Sequence, residues 1–182
     1  MFKLTFSDNI NVRKAQLKLR RDKHLKELER LSKSEIYVGF PASSKNEEGL
    51  TIAKYARWNN YGTFTHDEWG NTTSRIPSRP FFTKGFYFEK YQELRTKLAK
   101  YLTKQITSGK LTAAEACGKM GAMAVNNVRD AILTGPWAPN SEATKARKLA
   151  KAKGKKSKYG VKPLVDTGDM VNAVTYIVKE VK

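Results

Sequence analysis

The residues whose types suit catalysis or metal binding are two histidines and one cysteine, and they lie far apart in the chain. His66 opens the run His66-Asp67-Glu68, which could begin a metal site and contains half of the zinc deaminase signature. The Pro-Cys-x-x-Cys half of that signature is missing, so we interpret the run as the solvated tip of a hairpin. Cys117 falls on an apolar helical stripe, where a small buried hydrophobe is more common than a nucleophile.

Other signatures of enzyme chemistry are also missing from the sequence. It has no glycine-rich phosphate loop of either common type. We therefore expect no catalytic residue, no cofactor and no metal, and we predict a binding or structural protein rather than an enzyme. A small enzyme that uses His24, His66 or Cys117 remains the alternative, and replacing all three without loss of function would remove it.

The net charge favours polyanionic partners. The chain carries 35 Lys+Arg against 17 Asp+Glu, a formal charge of +18. Nucleic acid, an acidic protein surface and a membrane face would all attract such a field. Residues 145–162 hold a basic run without an acid, and Gly154 and Gly160 indicate a mobile loop there. The candidates for contact with DNA or an acidic partner are Lys151, Lys153, Lys155, Lys156 and Lys158. A solvated loop is the competing interpretation of this run.

Length and cysteine content limit the architecture. A chain of 182 residues fits one domain, and we expect a single domain over residues 1–182. One cysteine permits no disulfide within the chain, which suits a reducing cytosol. No apolar run is long enough to span a membrane, and the first residues do not resemble a signal peptide.

The hydrophobic periodicity predicts helices and a few strands. Short strands are expected over residues 2–6 and 35–40 and near the C-terminus, with a hairpin over residues 64–74. Helices are expected over residues 8–33, 51–61, 81–107 and from 112, and a further helix is capped by Ser141. The expected apolar faces include Leu17, His24, Leu28 and Leu31 in the first helix and Leu94 in the third. Gly62 is expected to end the second helix in a left-handed cap. A short last helix is expected to be capped by Asp166 or Thr167. The pattern predicts an α+β fold, with a small antiparallel sheet packed against long helices.

The stretch RIPSRPFF, residues 75–82, has an unusual composition. Each proline fixes its own φ and disfavours the α region for the residue before it, so the stretch is extended and stiff. Phe81 and Phe82 are expected in a core. We expect the prolines to hold the following helix at a fixed angle, with Arg75 and Arg79 facing a neighbouring subunit or an acidic partner.

Three segments in order resemble one family. They are TIAKYARWNNYGT, RIPSRPFFTKGF and PLVDTGDMVNAVTYIV. Together they resemble the phage neck and tail-completion proteins, which include the HK97-type tail components and the Mu-type virion morphogenesis proteins. The resemblance covers about residues 36 to 180. The motif positions are Trp58, Tyr61, Gly62, Arg75, Pro77, Arg79, Pro80, Phe81, Asp166, Thr167 and Gly168.

The resemblance implies a non-enzymatic bacteriophage structural protein of the head–tail neck or the tail terminus. Such a protein takes part in virion assembly and joins the head to the tail. It would be assembled in the host cytoplasm and located in the virion. The implied partners are further copies in an oligomeric ring, head-closure or connector proteins, tail proteins and packaged DNA in the channel. A stand-alone basic protein that binds nucleic acid is the alternative function.

Overall fold

A computed structural model of the chain describes residues 6–45, 49–66, 69–151 and 160–180. Within these ranges the chain forms seven helices and four strands. They are organised in two compact units. The first unit contains the described residues up to 37, residues 94–121 and residues 178–180; the second contains those between 38 and 93 and between 122 and 177. The expectation of a single domain stays a prediction.

The first unit is built on α1, Phe6–Ser32, with parts of α4, Glu89–Thr107, and α5, Ala113–Thr134. Polar side chains join these helices at their ends. The His24 Nδ1 lies 2.7 Å from the Thr107 carbonyl oxygen, and a Glu27 carboxylate oxygen accepts a hydrogen bond of 2.7 Å from the Ala113 N–H. The small core consists of Leu102, Ile106 and Ala116, with Leu28, Leu31, Leu98, Leu111 and Met120 packed against it.

The predicted helix over residues 8–33 is confirmed by α1, but its predicted apolar face is only partly right. Leu28 and Leu31 contact the core, whereas Leu17, expected on the same face, is 65% exposed. Cys117 is buried, as expected of a small hydrophobe. The strand expected over residues 2–6 lies outside the described residues except for Phe6, which begins α1.

The second unit combines short helices with a hairpin. The helices are α2, Ile52–Tyr61; α3, Phe81–Tyr87; α6, Glu142–Lys151; and α7, Asp169–Ala173. The strands β2, Thr63–His66, and β3, Thr72–Ile76, form an antiparallel pair in which Thr63 faces Ile76. The buried core contains Ile52, Ala56, Phe81, Val125, Val128, Ile132, Leu164, Val165, Met170, Val171 and Val174.

A second pair of strands joins distant parts of the chain. Strand β1, Ser34–Gly39, pairs with β4, Thr175–Glu180. Val38 and Tyr176 from these strands pack against the core of the second unit. The α+β class, with a small antiparallel sheet packed against helices, is therefore confirmed.

The single helix expected over residues 81–107 is wrong, because the chain leaves the helical conformation at Phe88. This residue has φ −60° and ψ 135°, and it separates α3 from α4. Tertiary contacts override the local helical preference. Gly85 packs against the Val128 backbone, and the Tyr91 hydroxyl donates to the Asp130 carboxylate at 2.5 Å. After the break, Leu94, which was expected on the apolar face of the single helix, is half exposed.

None of the helices in the described ranges is long and apolar enough to cross a lipid bilayer.

Candidate functional site

The three segments that carry the family resemblance meet at one groove in the second unit. The groove has a volume of about 360 Å³. The first segment contributes Trp58, the second contributes Arg75 to Pro77 and Arg79, and the third contributes residues between Leu164 and Asp169. Thr144, Arg147 and Lys148 of α6 complete the wall. Residues far apart in sequence are thus brought to one place by the fold.

Arg79 lies beneath this groove and is 5% exposed. Its Nε donates to the Ala138 carbonyl at 2.8 Å, and one terminal nitrogen donates to Asn59 Oδ1 at 3.2 Å. The other terminal nitrogen donates to the Pro139 carbonyl and to Asn140 Oδ1, both at 3.2 Å. Burial lowers the pKa of Arg79, although a guanidinium stays charged in proteins.

The prediction that Arg79 faces a neighbouring subunit or an acidic partner is therefore wrong. Its donors are directed at acceptors inside the same unit, 20 to 61 residues away in sequence. The Arg79 side chain ties α2, the proline stretch and the segment before α6 together. Arg75, four positions earlier, is exposed and lies with its guanidinium 5.5 Å from the centre of the Phe64 ring.

The end of α2 is fixed to the proline stretch by backbone and amide groups. The buried Asn60 accepts a hydrogen bond from the Phe82 N–H at its Oδ1, and its carbonyl accepts one from the Ser78 hydroxyl. The Arg79 N–H donates to the Asn59 carbonyl at 2.8 Å. These contacts orient the start of α3, and the role expected of the two prolines stays a prediction.

Gly62 is required at the turn that follows α2. Its φ is 79°, and a Cβ there would lie 2.9 Å from the Ile76 carbonyl oxygen. A side chain would thus meet both backbone strain and a clash. The ψ of 162° differs from the left-handed geometry that we expected at this cap. Tyr61, another motif position, is 72% exposed and does not line the groove.

The third segment approaches the groove through strained backbone. Leu164 has φ 64° although it is not a glycine. The N-cap of α7 is Gly168 in the left-handed region, without a side-chain cap, so the expectation that Asp166 or Thr167 occupies the cap is wrong. Only glycine adopts this conformation without strain. The Thr167 hydroxyl still accepts a long hydrogen bond, 3.4 Å, from the Asp169 N–H.

Two aromatic side chains, Tyr55 and Trp58, line the groove. Trp58 is half-buried and has the Lys54 ammonium 5.2 Å from its ring centre. Burial, with the nearby Asp169 charge, raises the pKa of Tyr55 to about 12. Tyr55 is therefore neutral at physiological pH. Pro80 and Phe81 are further motif positions of the second segment. Pro80 is the N-cap of α3, and Phe81, the first residue of α3, is 1% exposed.

The basic run over residues 145–162 is not a uniform surface. Lys148 is buried, and its ammonium donates to the carbonyls of Lys162, at 2.7 Å, and Val165. Burial lowers the pKa of Lys148, and the nearby Asp166 opposes that effect. This lysine is therefore structural, contrary to its expected place in a solvated or DNA-facing run. The side chain of Lys151 and all of Lys153, Lys155, Lys156 and Lys158 lie outside the described residues.

The candidates for catalysis belong to different units. His24 and Cys117 belong to the first unit, whereas His66 is in the hairpin, where its Nδ1 lies 3.2 Å from the Gly70 carbonyl oxygen. Asp67 and Glu68 lie outside the described residues. In the described part of the chain, no group of three His, Cys, Asp or Glu side chains could hold a metal ion.

The sequence did not reveal two polar side chains, Asn140 at the groove and Arg129 beside α7, that join distant segments. Asn140 links Arg79 to the carbonyls of Val161 and Lys162, and Arg129 donates to the carbonyls of Val171, Asn172 and Val174 around α7. The composition of the segment before α6 marks a turn but does not reveal these distant acceptors.

No protein-family model, curated protein or solved structure matches this chain.

Proposed function

We propose that the chain is a non-enzymatic bacteriophage structural protein of the head–tail neck or the tail terminus. It takes part in virion assembly and in joining the DNA-filled head to the tail. Its partners are further copies of itself in a ring, a head-closure or connector protein, and tail proteins. Its location in this proposal is the virion.

One observation carries the proposal. The three segments that together resemble this family converge on one groove. Arg79 of the second segment binds Asn59 of the first, and Lys148 binds the backbone of the third at Val165. A chance match of short motifs gives no reason for such convergence. The groove therefore supports treating the three motifs as parts of one structural unit.

The net positive charge of the chain supports a position beside a polyanion in the virion. A formal charge of +18 would favour DNA leaving the head, or an acidic surface of a connector. Assembly of copies around a channel requires heterologous contacts, in which two different patches of one subunit meet. An exposed hairpin and a groove on the same unit provide two such patches.

The test is an amber mutation in the gene within the phage genome, followed by electron microscopy of the particles from a non-suppressing host. We expect DNA-filled heads and separate tails, and joined virions when the wild-type gene is supplied in trans. A matched control supplies Cys117→Ala, which removes one buried sulfur atom and should restore joining. Normal infectious virions from the amber mutant would refute the proposed function.

A second candidate, a stand-alone protein that binds nucleic acid, is favoured by the charge alone. It predicts tight binding of DNA or RNA by the monomer at low salt. Neutralising Lys151, Lys153, Lys155 and Lys156 should then reduce the log–log salt slope by about 0.9 for each lost phosphate contact. Neutralising four exposed lysines of α1, Lys14, Lys18, Lys23 and Lys26, is the matched control for net charge. Equal slopes in the two variants would assign the binding to net charge rather than to the basic run.

A further inference from the structure

Helix α1 extends well beyond the residues through which it packs in the first unit. His24 and Glu27 make hydrogen bonds to the ends of α4 and α5, and Leu28 and Leu31 make core contacts. Of the side chains that the structure describes between residues 14 and 21, all are exposed. Most helical stability in proteins comes from packing one face against a neighbour. This stretch instead presents its whole circumference to a partner.

The exposed stretch is strongly basic. Residues 14–26 contain six lysines and arginines and one carboxylate, Asp22, which lies 3.6 Å from the Arg21 Nε. Four other exposed cations have no carboxylate within ion-pair distance in the described part of the chain, namely Lys14, Lys18, Arg20 and Lys23. The helix therefore carries a field that attracts an anionic partner.

These four cations lie on two flanks of α1. An α-helix turns about 100° per residue, because about 3.6 residues make one turn. The outward side of the helix is the side opposite its core contacts. Measured from the outward side, Lys14 and Lys18 lie about 70–110° around the axis in one direction and form the first flank. Arg20 and Lys23 lie about 70–130° around the axis in the other direction and form the second flank.

We propose that the exposed part of α1 lies in the major groove of double-stranded DNA. The first flank contacts the phosphates of one strand, and the second flank contacts those of the other. The major groove is about 12 Å wide, and an α-helix with its side chains is about 10–12 Å across. Contacts of lysine and arginine with phosphates hold a helix in this position without reading the base sequence.

Positive charge on both flanks favours duplex DNA over other anionic partners. A membrane surface, like a flat acidic protein surface, meets only one side of a helix. Membrane binding also requires an apolar face, whereas the exposed Leu17 and Leu19 point about 160° apart. A second copy of the chain carries the same positive charge. The major groove of an RNA duplex is deep and too narrow for a helix to enter.

This inference rests on the proposed function for the source of the duplex, which is the packaged DNA, but binding is measured on the purified full chain. The probe is a labelled DNA duplex of random sequence, two helical turns long. Fluorescence anisotropy gives the affinity over a series of salt concentrations. Lys14→Gln with Lys18→Gln removes the charge of the first flank, and Arg20→Gln with Lys23→Gln removes that of the second.

The matched control removes two charges from another helix of the same unit. It carries Lys100→Gln and Lys104→Gln, two exposed positions on one side of α4. Because all the substituted side chains are exposed, circular dichroism should show unchanged helix content in the three variants.

We expect each flank variant to decrease the magnitude of the log–log salt slope by about 1.8, because each lost phosphate contact contributes about 0.9. Combining the four changes should decrease it by about 3.6, and the control should change it by less than about 0.5. An equal decrease in the control would assign binding to net charge and overturn the inference. A decrease from only one flank, or no binding at low salt, would also overturn it.

Three further probes compare duplex DNA with the other partners. An RNA duplex of the same sequence should bind at least about tenfold more weakly, since its major groove is closed to a helix. Equal affinity for the two duplexes would overturn insertion into the major groove. Phosphatidylserine vesicles and polyglutamate should both bind more weakly than DNA at the same salt concentration. Tighter binding of either would overturn the choice of DNA as the partner.

The basic run over residues 145–162 provides a further comparison. Four α1 lysines are the net-charge control for that run in the second candidate function. Here their neutralisation should decrease the salt slope more than neutralising the run does. A greater decrease from the run would overturn the assignment of DNA binding to α1.

The amber test distinguishes failure of this inference from failure of the proposed function. Unjoined heads and tails, together with DNA binding that ignores the two flanks, would leave the neck function standing and remove the α1 contact. Binding that depends on both flanks, together with normal virions from the amber mutant, would keep the DNA contact and remove the neck function.

Discussion

The hairpin and the proline stretch that follows it are built from similar residues but have opposite environments. The hairpin exposes Phe64 and Trp69, whereas the next turn of chain buries Arg79 and Phe81. Both regions combine aromatic and basic side chains. The two regions differ in the hydrogen-bond acceptors near the arginine. Arg79 donates to four oxygens from distant segments, whereas the Arg75 guanidinium lies over the ring of Phe64. Burial of a charged side chain is thus decided by tertiary partners, not by local composition.

The largest effect expected from removing a charged side chain is the loss of the buried guanidinium. Arg79→Ala leaves several buried oxygens, including Asn59 Oδ1 and Asn140 Oδ1, without their donor. We expect a decrease of about 3 kcal/mol in the free energy of unfolding, because each unsatisfied buried group costs about 1–3 kcal/mol. Urea unfolding of the full chain measures it. The matched control, Arg75→Ala, should change stability by no more than about 0.5 kcal/mol; similar losses in both variants would remove the contrast.

Alanine substitutions at two glycines distinguish the cost of backbone strain from the cost of a steric clash. Gly62 and Gly70 have nearly equal φ, 79° and 80°, but of the two only Gly62 has backbone atoms within 4 Å of the position that a Cβ would take. Gly62→Ala should therefore cost about 2 kcal/mol, and Gly70→Ala about 1 kcal/mol, since the second meets strain alone. Thermal unfolding of the two variants gives the difference. A greater loss at Gly70 would contradict the close approach at the end of α2.

Tyr55 should make the free energy of unfolding depend on pH in the alkaline range. Its pKa is raised to about 12 in the folded chain, mainly by burial, against about 10 when unfolded. The folded state thus binds more protons between these values, so this contribution is complete below pH 10 and is lost as pH rises toward 12. After allowance for partial solvent exposure we expect about 1 kcal/mol. Tyr55→Phe should flatten the decline of stability over this range.

The smallest expected effect on stability belongs to the hairpin tip. Trp69→Ala should change the free energy of unfolding by no more than about 0.5 kcal/mol, because the side chain is almost fully exposed. Phe81→Ala, its buried counterpart, should cost about 3–5 kcal/mol. Denaturant curves for both variants give the ratio. A large loss at Trp69 would mean that its side chain supports the fold of the hairpin.

Local signals in the sequence are enough to predict most elements. Turn residues and alternating patterns predict the hairpin, and Ser141 is correctly predicted to begin α6, where its hydroxyl accepts from the Thr144 N–H. The break at Phe88 is missed because neither proline nor glycine stands there, and contacts with Val128 and Asp130 impose it. For the cap of α7 the sequence favours polar residues, although the backbone requires glycine at 168.

The sequence predicts the three segments of the candidate site but not that they form one groove. Short motifs identify the three segments, yet no local pattern shows that Trp58, Pro77 and Asp166 line one groove. The burial of Arg79 and Lys148 cannot be read from the sequence, because most of their acceptors are carbonyl oxygens that every residue carries. Side-chain type predicts a donor, but only the fold supplies its partner.

The acceptors of Arg79 also have a consequence for the order of folding. Three of its hydrogen bonds close loops of about 60 residues, between the proline stretch and the segment before α6. Such closures cost chain entropy before the contacts form, so we expect them late, after the hairpin and the helices. The Arg79 hydrogen bonds would then be weak in the folding transition state and complete in the native state. They would set how slowly the second unit opens, rather than how fast it forms.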